Sequence, residues 1–180
     1  PLVAADVDAG VLAIRSWYAE RGHRDVQVVP RLTERDDEVD DAGLAVVSVD
    51  VTVEIGEGPE TTIGAVGFSG NGAFTASALA TLVDTQIGVP YFAPHVAADR
   101  ERLRAYYLNE GYETVQVDVV ERFEDNGTIV NVMFQLTEGV QVVVEHVLVV
   151  GTNQVSPSTV RSEMTLRPGD PLGLDEVAET

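Results

Sequence analysis

Few residues of this chain are placed for chemistry. Gly67-Phe68-Ser69-Gly70-Asn71 misses the Gly-x-Ser-x-Gly elbow, which exposes a nucleophilic serine at a strand-to-helix turn, only at its last position. A serine nucleophile needs a neighbouring base, and the three histidines, His23, His95 and His146, are scattered. Gly70-Asn71-Gly72 opens a helix after a strand, as a dinucleotide fingerprint does, but Thr75 stands where the third glycine belongs. Asp36-Asp37-Glu38-Val39-Asp40-Asp41 could offer oxygen ligands to Ca²⁺, yet its spacing does not fit the twelve-residue calcium loop. It reads as a solvated loop. Trp17, Tyr18, Tyr106 and Tyr107 could form a binding surface. At helical positions they are expected to fill the space between helix and sheet. Cysteine is absent, which removes thiolate catalysis, disulfides and cysteine-ligated metal. We therefore expect no catalytic residue, no cofactor site, no metal site and no small-molecule substrate.

Charge narrows the partners further. Thirty acidic residues face eleven basic ones, a formal net charge of −19, and every basic residue is arginine. Such a surface is repelled by nucleic acid and by anionic lipid headgroups. No run of 18 apolar residues is present to span a membrane as a helix. Composition excludes these functions and names none.

The elements that would position any such contact come in repeats. An offset of 81 aligns Glu57-Gly58 with Glu138-Gly139, and Ile63, Val66 and Phe68 with Val144, Val147 and Val149. It also aligns Gly70 with Gly151, and Gly88 and Pro90 with Gly169 and Pro171. An offset of 89 places Ile14 on Leu103, Trp17-Tyr18 on Tyr106-Tyr107, Gly22 on Gly111, and Val26 and Val28 on Val115 and Val117. The eight-residue difference is absorbed within residues 34–43, which include the acidic run. The expected division is residues 1–58 as the back part of one unit (second helix and hairpin), 59–139 as a complete unit, and 140–180 as the front part of a third (first strand, first helix and the start of the second).

Within the complete unit, residues 62–69 alternate small and apolar side chains and predict a first strand. Residues 75–87 predict a helix, capped by Thr75, with Leu79, Leu82 and Val83 on one face. A second helix is expected over 94–109, where Val96, Leu103, Tyr106 and Tyr107 form one stripe, and Gly111 is suited to a left-handed cap. Residues 114–123 and 129–137 then predict a hairpin turned by Asp125-Asn126-Gly127, with Val130, Val132, Phe134 and Leu136 on one face. The order is β-α-α-β-β. The fold class is α+β: a three-stranded mixed sheet with the third strand central and the second an exposed edge, covered by two helices.

These features resemble the POTRA domains of the BamA/TamA family of outer-membrane β-barrel proteins. The resemblance rests on the repeated β-α-α-β-β order and on Glu-Gly closing the third strand, at Glu57-Gly58 and Glu138-Gly139. It rests also on the turn after the first strand, Gly70-Asn71 and Gly151-Thr152-Asn153. A third match is the helix end Tyr106-Tyr107-Leu108-Asn109-Glu110-Gly111-Tyr112, echoed by Trp17-Tyr18-Ala19-Glu20-Arg21-Gly22-His23. The resemblance implies a periplasmic array linked to a C-terminal membrane β-barrel in a longer protein. It implies a scaffold or chaperone role toward nascent outer-membrane proteins and periplasmic or lipoprotein partners. A structural spacer and the array of a two-partner secretion transporter are the alternatives.

An unpaired strand edge offers backbone donors and acceptors to any extended chain. The expected protein-binding edge is Val115, Gln116, Val117, Asp118 and Val119, with Val26, Gln27 and Val28 as its counterpart in the preceding unit. Pro30 and Asp118 are the kinds of residue that blunt such an edge.

Overall fold

The computed structural model describes residues 4–35, 38–39, 45–46, 48–151, 156, 159–160, 164 and 166–173. These fall in two compact units. One lies within residues 1–64, 87–92 and 123–130, the other within residues 65–86, 93–122 and 131–180. Of the acidic run, Asp36, Asp37, Asp40 and Asp41 lie outside the described residues, as do Thr152 and Asn153 and most of the expected third-unit helices. Among the described residues no helix is long and apolar enough to cross a membrane.

The first unit opens with α1 (Ala4–Ala19). Val7, Val11, Ile14 and Tyr18 recur every three or four residues and are half-buried, the stripe that an amphipathic helix turns to its sheet. Trp17 falls off that stripe and is 51% exposed, so the expectation that it fills the core is corrected. It is instead covered by the Arg21 guanidinium, 3.7 Å from the ring centroid. The helix stops at Gly22, whose φ of +87° is open to glycine at little cost. His23 N donates to Tyr18 O and Gly22 N to Ala19 O, the paired bonds of a Schellman cap. Strands β1 (Gln27–Glu34) and β2 (Val49–Gly56) follow as an antiparallel pair, with Gln27 opposite Gly56 and Glu34 opposite Val49. A two-residue ladder, Glu38–Val39 with Ala45–Val46, lies between them in sequence.

Strand β3 (Thr62–Ser69) starts the next repeat. Its entry is held by a clasp within the first unit. Thr61 N donates to Gly22 O at 2.9 Å, Tyr91 N to Thr61 O at 2.8 Å, Ile63 N to Val89 O at 2.9 Å and Gly88 N to Ile63 O at 2.7 Å. Thr61 is fully buried, and its hydroxyl donates to Gly127 O at 2.6 Å. A β-carbon on Gly22 would stand 2.5 Å from the Thr61 oxygen, so glycine is required there twice over, by φ and by space.

The second unit holds α2 (Ala76–Ala80), α3 (Ala93–Asn109), and most of β4 (Gln116–Glu124) and of β5 (Ile129–Thr137). Thr75 caps α2 as expected, accepting from Ala78 N. The helix is far shorter than residues 75–87. Thr81 turns its hydroxyl back to Ala78 O, and the amides of Asp84 and Thr85 donate to the Asp99 carboxylate instead of continuing a helical ladder. Leu79 and Val83 are still buried.

On α3 the buried face is Val96, Asp99, Leu103 and Tyr107. A carboxylate thus completes the apolar stripe. Asp99 accepts from Asp84 N, Thr85 N, Thr85 Oγ1 and Arg102 Nη1, while Arg102 Nη2 reaches Asp84 at 3.0 Å. A buried charge is tolerated when it is paired and hydrogen-bonded, and here four donors serve one carboxylate.

The strand order is β3-β5-β4, with the third strand of the repeat central, and the sheet is mixed. On β5, Val130, Val132, Phe134 and Leu136 are all buried, as their alternation predicts. The hairpin turn departs from a two-residue Asn-Gly turn. Asp125, Asn126 and Gly127 all take positive φ, and a short 3₁₀ turn runs through them.

A second clasp appears within the second unit. Val142 N donates to Gly111 O at 2.8 Å, Leu172 N to Val142 O at 2.9 Å, Val144 N to Asp170 O at 2.9 Å and Gly169 N to Val144 O at 2.7 Å. Gly111 takes the same left-handed cap, at φ +82°, with its β-carbon position 2.5 Å from Val142 O. Offsets of 81 and 89 carry each of these residues onto its counterpart in the first clasp.

Candidate functional site

The residues weighed for chemistry stand in separate places where they are described. Ser69 ends β3. Asn71 spends its side chain on the turn, donating to Phe74 O at 2.9 Å. His23 faces Gly58 O at 3.3 Å, and exposed His146 lies 3.9 Å from Glu145. The Glu-Gly motifs have a physical role. Tyr107 OH donates to Glu138 at 2.8 Å, and that carboxylate also accepts from Ala73 N. Burial first, then Glu138, pushes the Tyr107 phenol well above its ordinary range. Tyr18 OH makes the matching bond to Glu57 at 2.9 Å, and that bond is the main cause that raises its phenol. Tyr107 is fully buried and stacks edge-on to Phe74 and Tyr112.

The candidate edge is built by β4. It is an outer strand of its sheet, paired with β5 on one side among the described residues. Val115 and Val117 are buried, Gln116 and Asp118 are exposed, and Val119 is half-buried. Val115 sits just ahead of the strand, its amide donating to Tyr112 O. A shallow, open groove runs beside the edge. Arg100, Glu101 and Arg104 of α3 form one wall, and residues 113–118 the other. Arg100 is held by Glu101, with Nη2 at 2.6 Å and Nε at 3.0 Å from Oε1. Arg104 has no ion-pair partner among the described residues. Sequence reasoning found the strand and missed this wall, because periodicity sorts α3 by its buried stripe and leaves its exposed arginines unranked.

The counterpart edge is different. Val26 is half-buried ahead of β1, Gln27 is exposed and Val28 is buried. The Val28 carbonyl accepts from Arg15 Nη2 of α1 at 3.1 Å. Pro30 takes one backbone donor out of the strand.

Comparison with known proteins agrees with this geometry. The POTRA family, described as surface antigen variable number repeat, matches residues 61–139. A protein of Treponema pallidum (strain Nichols), named as an outer membrane protein assembly factor, is 26% identical over 164 residues, 91% of this chain. The chain spans only 19% of that protein's length. Among solved structures, the chain resembles POTRA domains 3–5 of Haemophilus influenzae BamA. The TM-score is 0.51 at 19% identity, covering 96% of this chain and 65% of that one. It also resembles BamA of Haemophilus ducreyi lacking POTRA domains 1–3. Here the TM-score is 0.51 at 16% identity, covering 77% of this chain and 24% of that one. At these identities the structures establish the fold. Residues 61–139 match the POTRA family, and the chain shares the fold of the POTRA domains of Haemophilus BamA.

Proposed function

We propose that the chain is part of a periplasmic POTRA array in a longer outer-membrane protein, and that it serves as a non-catalytic scaffold for protein partners during outer-membrane protein assembly. The family match and the name of the Treponema relative support the setting. The array divides at 1–58, 59–139 and 140–180, and the recurrence of one hydrogen-bond clasp at two matching points supports that division. A C-terminal membrane barrel belongs to the same proposal.

The contact we assign is strand addition at β4. One observation carries it: an outer strand with a groove along it, between residues 113–118 and the exposed arginines of α3. Main-chain pairing gives affinity without requiring one sequence, which suits clients that share only an extended, alternating pattern. The test is titration of the chain with unfolded barrel-strand peptides. Val117→Pro is expected to abolish binding. An alternately N-methylated peptide, which lacks the donors for pairing, is expected to fail on the unaltered chain. Equal binding of the methylated peptide would overturn strand addition.

A spacer role is a second reading with its own support. The repeated clasp, closed by two glycines that tolerate no side chain, suits units joined in one recurring manner. A spacer binds none of the peptides.

A further inference from the structure

The offset of 89 that aligns successive helices and hairpins places Arg15 on Arg104 and Val28 on Val117. In the first repeat this arginine is committed, with Nη2 on the Val28 carbonyl of β1. In the second it borders the groove beside Val117 and holds no hydrogen bond or ion pair among the described residues. A chain with 30 acidic residues against 11 basic ones has an abundance of carboxylates, yet none among the described residues is placed on Arg104.

The other charges of the groove have defined places. Arg100 is neutralised by Glu101. Asp118 is exposed with Gln116 on the side of β4 opposite the buried Val115 and Val117. Glu113 precedes the strand. A chain added to β4 alternates its side chains between the two faces, with same-face neighbours roughly 7 Å apart. Those on the helix side meet Arg104. Those on the other side meet Gln116 and Asp118, where an added carboxylate is repelled.

We propose that Arg104 is the specificity-determining residue of this edge and selects extended segments that carry an acidic side chain on their helix-facing side. This rests on the strand-addition reading above. A guanidinium can take a carboxylate through two parallel N–H donors, so position as well as charge is read.

The test uses the whole chain and three alternating peptides with Glu, Gln or Lys at the same alternate positions. The Glu peptide is expected to bind about threefold tighter than the Gln peptide, the effect of one partly exposed ion pair, with Lys weakest. Arg104→Gln should bring the Glu and Gln peptides to equal affinity, and Arg104→Glu should reverse their order. Arg15→Gln should leave the ratio unchanged. The preference should shrink from about 0.1 M to about 1 M salt as screening shortens from about 10 to about 3 Å. A Glu-to-Gln ratio that survives Arg104→Gln overturns the assignment, while strand addition still stands if Val117→Pro abolishes binding of all three. Failure of every peptide to bind the unaltered chain overturns the strand-addition reading, and this inference with it.

Discussion

Strands β1 and β4 stand in matching positions 89 residues apart, each opening a hairpin after a long helix. Both begin on a glutamine followed by a buried valine, Gln27-Val28 and Gln116-Val117. Their edges nevertheless differ. On β1 a helix arginine takes a main-chain acceptor, and Pro30 removes a donor. On β4 the equivalent arginine is uncommitted among the described residues, and Val119 stands where β1 has proline. A repeat can keep its core pattern and still open or close an edge through one substitution, proline for valine, and one arginine that is differently engaged. The core is tied to packing, whereas the edge is free to vary with what it meets.

The helices behind the two strands differ as well, and this yields the largest expected effect. Asp99 anchors α3 to the turn after α2, and Gly10 stands at its position on α1. Asp99→Ala leaves buried donors on Thr85 without an acceptor and Arg102 without its closer carboxylate. It is expected to cost about 3 kcal/mol, read by urea unfolding. A loss below about 1 kcal/mol would mean that the anchor is dispensable and the two helices are equivalent.

Copying β1 onto β4 is the next test. Val119→Pro is expected to weaken peptide binding at least about tenfold while far-ultraviolet circular dichroism stays unchanged, because proline on an edge strand removes a donor with little cost to the fold. Retained affinity would show that Pro30 is not what sets the edges apart.

The smallest effect separates the two Tyr–Glu bonds. Tyr107→Phe should cost about 1 kcal/mol by thermal or chemical unfolding, and Tyr18→Phe less, since the Tyr18–Glu57 pair is exposed. The Tyr107 phenol is raised in the folded chain, so its bond contributes fully below the ordinary phenol range near pH 10. That contribution is lost as pH climbs through the folded value. The difference between Tyr107→Phe and the unaltered chain should therefore narrow above about pH 10. A constant difference would remove the linkage.

Much of this fold was legible in the residues. The alternation of Val130, Val132, Phe134 and Leu136 located the central strand, and Gly111 marked the helix end through its left-handed cap. What escaped depends on partners distant in sequence. Asp99 was hidden in the gap of seven between Val96 and Leu103, where a missing stripe member was itself the signal. The helix predicted over 75–87 stops at Ala80 because that same carboxylate captures the amides of Asp84 and Thr85. Trp17 shares its offset with Tyr106, yet is left half exposed under Arg21. The edge itself was readable from topology. The Arg15–Val28 bond, which distinguishes one edge from the other, joins residues 13 apart and is set by how the helix lies on the strand.

Hydrogen exchange on the intact chain, with and without an unfolded barrel-strand peptide, tests the central claim most directly. Added protection is expected for amides in Gln116–Glu124, with no change in Gln27–Glu34. Protection confined to β1, or equal protection of both strands, would contradict it.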